Sequence, residues 1–207
     1  FYRMWIMPML FVRSLIFNII FIILSVLVPM VVILSAPFTS TKGIIKVASL
    51  WGDSILFTLK YVCGLTYEIK GLENIQKESC MVFSKHQSTW ETAAFTTILP
   101  PYVWVLKKEL LKLPFFGLAL KVMHSIAIDR KAGKDAVDQI VTEGKKVLAE
   151  GLSIIIFPEG TRVNPREKGR YGIGGSILAE KAGCLVTPIA HNAGEFWSKG
   201  TFYIYPG

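Results

Sequence analysis

The longest segment without a charged residue lies between Arg13 and Lys42 and contains residues 15–36, which read LIFNIIFIILSVLVPMVVILSA. At about 1.5 Å of rise per residue, a helix of this length reaches roughly across the 30 Å hydrocarbon core of a bilayer. Only 18% of the residues in the chain are charged, below the roughly 25% that is typical of soluble domains. The sequence therefore predicts an N-terminal hydrophobic helical membrane anchor.

Two arrangements of this anchor are open, because Asn18 and Pro29 interrupt the segment and basic residues flank both of its ends. One is a single span; the other is a bent, re-entrant hairpin with FYRMWIMPMLFV, residues 1–12, as its second arm. The hairpin would return both basic flanks to one side of the membrane. A cleaved signal peptide fits less well, since the apolar stretch exceeds the usual length of about 7 to 15 residues.

The formal net charge of +8 suits an anionic partner, whether phospholipid headgroups, nucleic acid or a phosphorylated substrate. Three cysteines, odd in number and far apart, indicate neither a disulfide framework nor a zinc site. We therefore expect the functional face of the protein to be cytosolic. No signature of a nucleic-acid-binding module accompanies the charge.

The chain divides into a membrane-anchoring helical segment, 1–62, and a second domain, 63–207. Residues 43–62 have the spacing of an amphipathic helix. After Gly64, short apolar runs alternate with helical patterns, which predicts an α/β fold with a largely parallel central sheet flanked by helices. The predicted strands are 66–70, 80–84, 102–106, 125–129, 153–157 and 185–190, and the predicted helices are 89–98, 115–123, 134–150 and 175–182. Because the chain starts at Phe1 and stops within FYIYPG, we expect a truncated sequence.

Polar and basic residues follow each of four predicted strands. They are Lys85 and His86, Lys107 and Lys108, Arg130 and Lys131, and the run Pro158, Glu159, Gly160, Thr161 and Arg162. Ligands of open parallel sheets bind outside the carboxyl ends of the strands. The pattern predicts a phosphate site with a base beside it on one rim of the sheet, although single basic residues at strand ends can simply be solvated.

His86 precedes Glu91 by five residues, and Ser88 and Glu91 have the S-x-x-E spacing of a helix-capping box. With Ser88 as N-cap, Glu91 would satisfy free backbone N–H groups of the helix. With His86 in the preceding turn, the Glu91 carboxylate can also reach the imidazole and orient it as a base. The two interpretations are compatible.

The run IIIFPEGTR predicts a buried strand that ends at Pro158 and turns at Gly160. The turn would present Thr161 and Arg162 at the rim, where a planar guanidinium suits a phosphate. An ion pair between Glu159 and Arg162 is the structural alternative.

Taken together, KHQSTWE, LKKELLKLPFFG, IAIDR, IFPEGTR and VTPIAHNAG, in this order and spacing, resemble the blocks of the glycerolipid acyltransferases. Within that family the chain is most similar to the bacterial 1-acylglycerol-3-phosphate acyltransferases, from about Gly71 to His191. The first block of the family normally reads His-x-x-x-x-Asp. Here Glu91 stands in the place of the aspartate, which keeps the charge and changes the reach of the carboxylate.

The resemblance implies that His86 is the general base and Glu91 its orienting partner. Lys107 and Arg162 would hold the acceptor phosphate, with Arg130 also in the binding site. The remaining implied site residues form the acceptor turn, the second block and the fourth block near the acyl chain: Glu159, Gly160 and Thr161; Phe115, Phe116 and Gly117; and Pro188.

The implied reaction transfers an acyl group from acyl-CoA or acyl carrier protein to the sn-2 hydroxyl of lysophosphatidic acid, forming phosphatidic acid. It requires neither a metal nor a cofactor beyond the thioester co-substrate. Membrane phospholipids are the expected surroundings, in a bacterial inner membrane with the active site facing the cytoplasm.

Three alternatives are kept beside this interpretation. The acceptor can be glycerol-3-phosphate, another lysophospholipid or a lysoglycolipid, since all would use the same base. A non-enzymatic, basic lipid-binding membrane protein would share the charge. A serine hydrolase is disfavoured because the chain has no G-x-S-x-G elbow, and GIGGS at 172–176 is interpreted as a flexible turn.

Overall fold

The computed structural model describes residues 2–207, with side chains from residue 7 onward. Helix α1 (Tyr2–Ser35) is continuous through Pro8 and Pro29. The hairpin with residues 1–12 as a second arm is therefore wrong for the described residues, because residues 2–12 are part of α1 instead of folding back. Within this part of the chain, Met7–Phe38 is long and apolar enough to cross a membrane, and only 11% of its most apolar window is buried.

Helix α2 (Thr41–Thr58) begins after Ser40, whose hydroxyl accepts a hydrogen bond from the N–H of Gly43. It continues into a π-helical turn, Leu59–Cys63, and ends at Gly64, whose φ of +70° is a left-handed conformation that favours glycine. The predicted amphipathic helix is confirmed. Trp51 of α2 donates a hydrogen bond from Nε1 to Ser25 Oγ of α1 at 3.1 Å, which fixes the two helices side by side.

Five parallel strands form the sheet in the order β3-β2-β4-β1-β5. The strands are β1 (Met81–Ser84), β2 (Tyr102–Lys107), β3 (Ile126–Ile128), β4 (Ser153–Ile156) and β5 (Val186–Ile189). Neighbouring strands are in register at, for example, Val82 and Ile155 of β1 and β4. The predicted α/β fold with a parallel central sheet is confirmed.

The predicted strand 66–70 is wrong, because this segment lies outside the sheet. Its one backbone pairing joins the N–H of Thr66 to the carbonyl of Gly207 at 2.7 Å. Tyr67 and Ile69 alternate as the pattern suggested, yet both are exposed. Alternation alone therefore did not identify a strand here, since no described neighbour pairs with the backbone beyond Thr66.

The other helices are α3 (Trp90–Ile98), α4 (Phe116–Val122), α5 (Lys134–Ala149) and α6 (Gly174–Ala182). Each lies within one residue of its predicted bounds. The connections through α3 and α4 take the chain from β1 to β2 and β3, and those through α5 and α6 take it back to β4 and β5. Because crossovers between parallel strands are right-handed, α3 and α4 lie on one face of the sheet and α5 and α6 lie on the other. Helix α2 packs against α3, and α1 packs against α2 and α4.

Strand β2 shows how the core is divided. Val103 and Val105 point into one apolar layer, whereas Trp104 and Leu106 point into the other. All four are buried, which explains why the strand has a continuous apolar sequence rather than an alternating one. The packed layers leave the carboxyl ends of the strands as the edge where polar loops gather.

The division of the chain into a membrane-anchoring segment, 1–62, and a second domain, 63–207, stays a prediction.

Candidate active site

His86 lies in the loop that joins β1 to α3, at the carboxyl rim of the sheet. Its Nδ1 is 2.8 Å from Oε1 of Glu91. The imidazole also stacks on the ring of Phe157, with ring centroids 4.1 Å apart and planes inclined by 10°. The contact that the sequence suggested between His86 and Glu91 is present, and an aromatic ring that the sequence did not point to holds the imidazole plane.

The Glu91 side chain is completely buried. Its Oε1 accepts hydrogen bonds from the backbone N–H groups of Gln87 and Ser88, both at 2.9 Å. The carboxylate half of the capping box is therefore formed, and the same oxygen also contacts His86. The Ser88 half is displaced by one residue: the helix begins at Trp90, and Ser88 Oγ accepts a hydrogen bond from the N–H of Trp90 at 3.1 Å.

These contacts determine which nitrogen of His86 carries a proton. An ionised carboxylate can only accept hydrogen bonds, so Nδ1 must be the donor toward Glu91. Nε2 then has a lone pair, and among the described residues it has no hydrogen-bond partner. The geometry thus leaves one basic nitrogen available at the rim.

Glu159 holds the loop of His86 in place through hydrogen bonds. Its side chain is 1% exposed; Oε2 accepts from the backbone N–H of His86 at 3.3 Å and Oε1 accepts from the N–H of Gly169 at 3.1 Å. Lys85 Nζ lies 4.0 Å from Oε1. The ion pair considered between Glu159 and Arg162 is not formed. The carboxylate instead joins the loop of His86 to the 157–173 loop.

Arg162 reaches the rim after the turn at Gly160. The N–H of Gly160 donates to the carbonyl of Phe157 at 2.9 Å, and its φ of +67° explains the glycine. Arg162 Nη1 donates to Thr89 Oγ1 at 3.0 Å, while the neighbouring Val163 N–H donates to the carbonyl of His86 at 2.8 Å. The structure therefore brings Arg162 beside the His86 loop.

Arg130 and Lys107 approach from the other side of the rim. A Cβ atom built on Gly160 would lie 3.5 Å from the guanidinium carbon of Arg130, an ordinary contact distance, so the turn at Gly160 lies directly beside this side chain. Burial lowers the pKa of Arg130, an effect that the charge of Glu109 opposes; the guanidinium stays charged at neutral pH. Lys107 Nζ is 3.4 Å from Glu109 Oε1 in an exposed pair. Thr161 is exposed at the turn.

A cavity of about 420 Å³ opens beside these groups. Its polar lining residues are His86, Thr89, Lys107 and Arg130, together with hydroxyls of α1 and α3. The rest of the wall is apolar and comes from α1, α2, α4 and the strand ends, for example through Val28, Trp51 and Phe116. The anchor helix is thus part of the wall, which the sequence did not indicate.

A larger cavity of about 1000 Å³ lies along the outer edge of β5. Pro188 is exposed there and does not line the cavity beside His86. His191 lines the larger cavity, but both of its nitrogens are engaged: Nε2 is 2.8 Å from the carbonyl of Lys85, and Nδ1 accepts from the N–H of Ala193 at 3.3 Å. Among the described residues, no cluster of three potential metal ligands is present.

Two contacts of the site, those of Thr89 and Phe157, could not be predicted from the sequence. Thr89 is adjacent to a capping serine and has no motif of its own, and Phe157 ends an apolar strand like any core residue. The only signal available was position, since both flank the blocks that contain His86 and Arg162. Pairings across 73 residues of sequence, such as Thr89 with Arg162, have no local signature.

The fold and the rim define an α/β protein in which a histidine–carboxylate pair and cationic side chains face an apolar cavity. Residues 66–192 match the Acyltransferase family model. The chain therefore belongs to the Acyltransferase family.

Individual relatives agree with this assignment. The chain is 45% identical over 157 residues to the 1-acyl-sn-glycerol-3-phosphate acyltransferase of Pseudomonas aeruginosa, covering 76% of this chain and 61% of that protein. Identity to the enzyme of the same name from Borreliella burgdorferi is 31% over 146 residues, covering 69% and 58%. The chain thus spans about three fifths of the length of these relatives.

The crystal structure of the 1-acyl-sn-glycerophosphate acyltransferase of Thermotoga maritima matches with a TM-score of 0.76. The match covers 95% of this chain and 80% of that one at 21% identity, and it shows that the two proteins share their fold.

Proposed function

We propose that the protein transfers a fatty acyl group from an acyl thioester to the sn-2 hydroxyl of 1-acylglycerol-3-phosphate, forming phosphatidic acid for phospholipid synthesis. The observation that carries this proposal is the hydrogen bond of 2.8 Å between His86 Nδ1 and Glu91 Oε1. Among the described residues Nε2 has no hydrogen-bond partner, and His86 lines an apolar cavity. The names of the similar proteins from Pseudomonas aeruginosa and Borreliella burgdorferi support the choice of acceptor.

His86 is the general base. Nε2 takes the proton of the acceptor hydroxyl, and the oxygen attacks the thioester carbonyl. Glu91 stabilises the imidazolium through Nδ1, as an orienting carboxylate does. When the tetrahedral intermediate collapses, the carbon–sulfur bond breaks and the imidazolium returns the proton to the thiolate. No covalent enzyme intermediate and no metal enters these steps.

Cations around the cavity bind the acceptor phosphate. Arg162 donates a hydrogen bond to Thr89, which lines the cavity, and Arg130 and Lys107 line the cavity themselves. A phosphate held there places the sn-2 hydroxyl near Nε2, and positioning of this kind lowers a barrier by several kcal/mol. The role of Glu159 is to hold the loop of His86, because its carboxylate oxygens accept backbone hydrogen bonds; Gly160 and Thr161 shape the turn.

The apolar part of the cavity accommodates the acyl chain of the substrate. About 420 Å³ walled by α1, α2 and α4 excludes water from the thioester and binds hydrocarbon. Since α1 contributes Phe21, Val28 and Val32 to this wall, the helix that we assign as anchor also completes the site. Membrane phospholipids surround this helix, and we place the protein in a bacterial inner membrane with the rim facing the cytoplasm.

An acyl-transfer assay with purified protein tests the proposal. Lysophosphatidic acid is compared with glycerol-3-phosphate as acceptor, and acyl-CoA with acyl carrier protein as donor. We expect turnover with lysophosphatidic acid and with at least one of the two donors. A folded, membrane-bound protein that acylates neither acceptor would refute the substrate assignment.

The alternatives are separated by the same assay. Turnover only with another lysophospholipid or with a lysoglycolipid would keep the base and change the acceptor. Lipid binding that survives in the His86→Ala variant, without acyl transfer in the unsubstituted protein, would instead indicate a binding protein.

A further inference from the structure

The segment 108–121, which contains the second block of the sequence, exposes large apolar side chains close to the cavity mouth. It comprises a 3₁₀ turn, Lys108–Lys112, and most of α4. Leu113, Phe115 and Leu118 are each about 45% exposed. Exposed apolar residues scattered over a surface need no explanation, but a contiguous group beside a binding site does.

The backbone at Phe115 is strained in a way that exposes its ring. Phe115 has φ 55° and ψ −56°, and the N–H of Phe116 donates to the carbonyl of Pro114 at 2.5 Å. This is a γ-turn with positive φ, which is rare and strained for a residue with a side chain. Phe116 consequently enters the cavity, whereas the adjacent Phe115 projects outward. Strain that exposes an aromatic ring points to a role outside the fold.

Gly117 explains why the turn is held in this form. A Cβ atom at this position would lie 2.4 Å from the carbonyl oxygen of Leu111, so only glycine permits the 3₁₀ turn to pack against α4. The close approach keeps the segment compact, with Leu110, Leu113 and Leu118 exposed.

Lysines surround the apolar side chains. Between residues 107 and 121 the sequence has Lys107, Lys108, Lys112 and Lys121 against a single acid, Glu109. Lys121 follows Leu118 by three residues, which sets both on the same face of α4. Aliphatic and aromatic side chains ringed by lysine are the composition of surfaces that lie in the interface of an anionic bilayer.

The segment is also continuous with the apolar surface of α1, because α4 packs directly against that helix. Helix α1 exposes large apolar side chains along most of its length, including Ile19, Ile22 and Leu27. Leu110 and Leu113 line the cavity that contains His86. A single lipid surface can therefore cover α1 and reach the cavity mouth through this segment.

We propose that segment 108–121 is a second membrane contact, which inserts Leu113, Phe115 and Leu118 into the interface of an anionic phospholipid bilayer. The contact is additional to α1 and orients the cavity mouth toward the lipid, from which a lysolipid can enter without crossing water. It does not depend on the acyl-transfer reaction, since it concerns where the segment lies.

A depth measurement on the full chain tests this proposal. Phe115→Cys carries an environment-sensitive fluorophore in a Cys184→Ser background, reconstituted into phosphatidylglycerol–phosphatidylcholine vesicles containing spin-labelled lipid. The native thiols that remain do not compete for the reagent: Cys63 and Cys80 are buried, and burial raises the pKa of the Cys63 thiol to about 11. Leu185→Cys is the matched control, because Leu185 is an exposed leucine at the amino end of β5.

We expect the spin label to quench the probe at 115 at least about threefold more than the probe at 185, with a blue-shifted emission at 115 only. Equal quenching at the two positions would overturn the proposal. A blue shift at 115 that appears without vesicles and rises with protein concentration would also overturn it, since it would show contact with a second copy of the chain. An acyl-transfer assay that fails would leave this measurement unaffected.

Charge variants test the lipid chemistry. In the labelled protein, Lys112→Glu with Lys121→Glu should roughly halve quenching at 115 on anionic vesicles and leave it unchanged on neutral ones. Lys145→Glu with Lys146→Glu, on α5 at the other face of the sheet, makes the same charge change and should have no effect. The same loss in both pairs would contradict a local contact.

Discussion

Two histidines border two cavities in this protein, and they differ in the hydrogen bonds that their ring nitrogens make. His86 gives Nδ1 to a buried carboxylate and keeps Nε2 unbonded among the described residues. His191 gives one nitrogen to the carbonyl of Lys85 and the other to the N–H of Ala193. His191 contacts the carbonyl of Lys85, which directly precedes His86 in the chain. The two imidazoles are therefore close to the same loop, but their hydrogen bonding differs.

The sizes of the cavities would suggest the opposite assignment. The cavity beside His191 has about 1000 Å³ and the one beside His86 about 420 Å³. A reaction that removes a proton needs a lone pair within reach of the substrate, and volume cannot supply one. The difference teaches that the hydrogen bonds already made by a side chain identify a site better than the space around it.

The largest effect is expected for His86→Ala. Loss of the proposed general base should lower kcat for acyl transfer by about 10² to 10⁴. The KM for the acceptor should change much less, because Arg130, Lys107 and Arg162 remain in place. Steady-state kinetics with lysophosphatidic acid measure both constants.

The matched substitution for His86→Ala is His191→Ala. If both variants lost turnover equally while staying folded, the distinction between the two histidines would be wrong. Circular dichroism in detergent verifies that each variant keeps its secondary structure.

The next effect concerns the partner of His86. Glu91→Gln keeps the size of the side chain but removes the charge that stabilises the imidazolium, so kcat should fall by up to about 10⁴. Glu91→Asp, the residue usual in the family, should retain more activity than Glu91→Gln because it keeps the charge.

The shorter side chain of Glu91→Asp has a separate consequence for stability. Glu91 accepts backbone hydrogen bonds from Gln87 and Ser88, and a buried N–H left unpaired costs about 1 to 3 kcal/mol. Thermal melting should therefore show a lower Tm for Glu91→Asp. Equal activity of Glu91→Gln and unsubstituted protein would show that the carboxylate only caps the helix.

Much of the fold could be predicted because its signals are local. Helix α5 was found from the spacing of its apolar residues and a glycine at its end, and it spans Lys134–Ala149 against a predicted 134–150. The segment 66–70 has an equally local pattern and is not a strand, since a strand requires a partner and only Thr66 has one. Local patterns report which face is apolar, but not what pairs with the backbone.

The site divides in the same way. The contact between His86 and Glu91 could be predicted from the sequence because the two residues are only five positions apart. The observed contact of Glu159 could not be predicted, because its partner is the backbone N–H of His86; nothing in a sequence marks a backbone group as the partner of a distant carboxylate. The nearby positive residue, Arg162, suggested an ion pair that the structure does not contain.

A smaller effect, on the KM for the acceptor, is expected when the contact between Thr89 and Arg162 is removed. Thr89→Val removes the acceptor for Arg162 Nη1, so the guanidinium loses one fixed contact. The KM for lysophosphatidic acid should rise about fivefold, corresponding to about 1 kcal/mol, with kcat nearly unchanged. Thr89→Ser should restore the KM.

Thr96→Val is the control for Thr89→Val. Thr96 lines the same cavity, but its hydroxyl donates only to the carbonyl of Ala93. An equal rise in KM in the Thr96 variant would indicate a general change of the cavity rather than a misplaced guanidinium.

The smallest effect is expected for a conservative change of the second histidine, His191→Gln. The amide of glutamine can still donate to the carbonyl of Lys85, whereas the bond from the N–H of Ala193 to Nδ1 is lost. The free energy of unfolding should fall by about 1 kcal/mol, which lowers the Tm by a few degrees, and kcat should stay within about threefold. A loss of kcat near that of His86→Ala, with an unchanged Tm, would mean that His191 takes part in the reaction despite its two hydrogen bonds. An unchanged kcat with a lower Tm is the result that follows from a ring whose nitrogens are both already occupied.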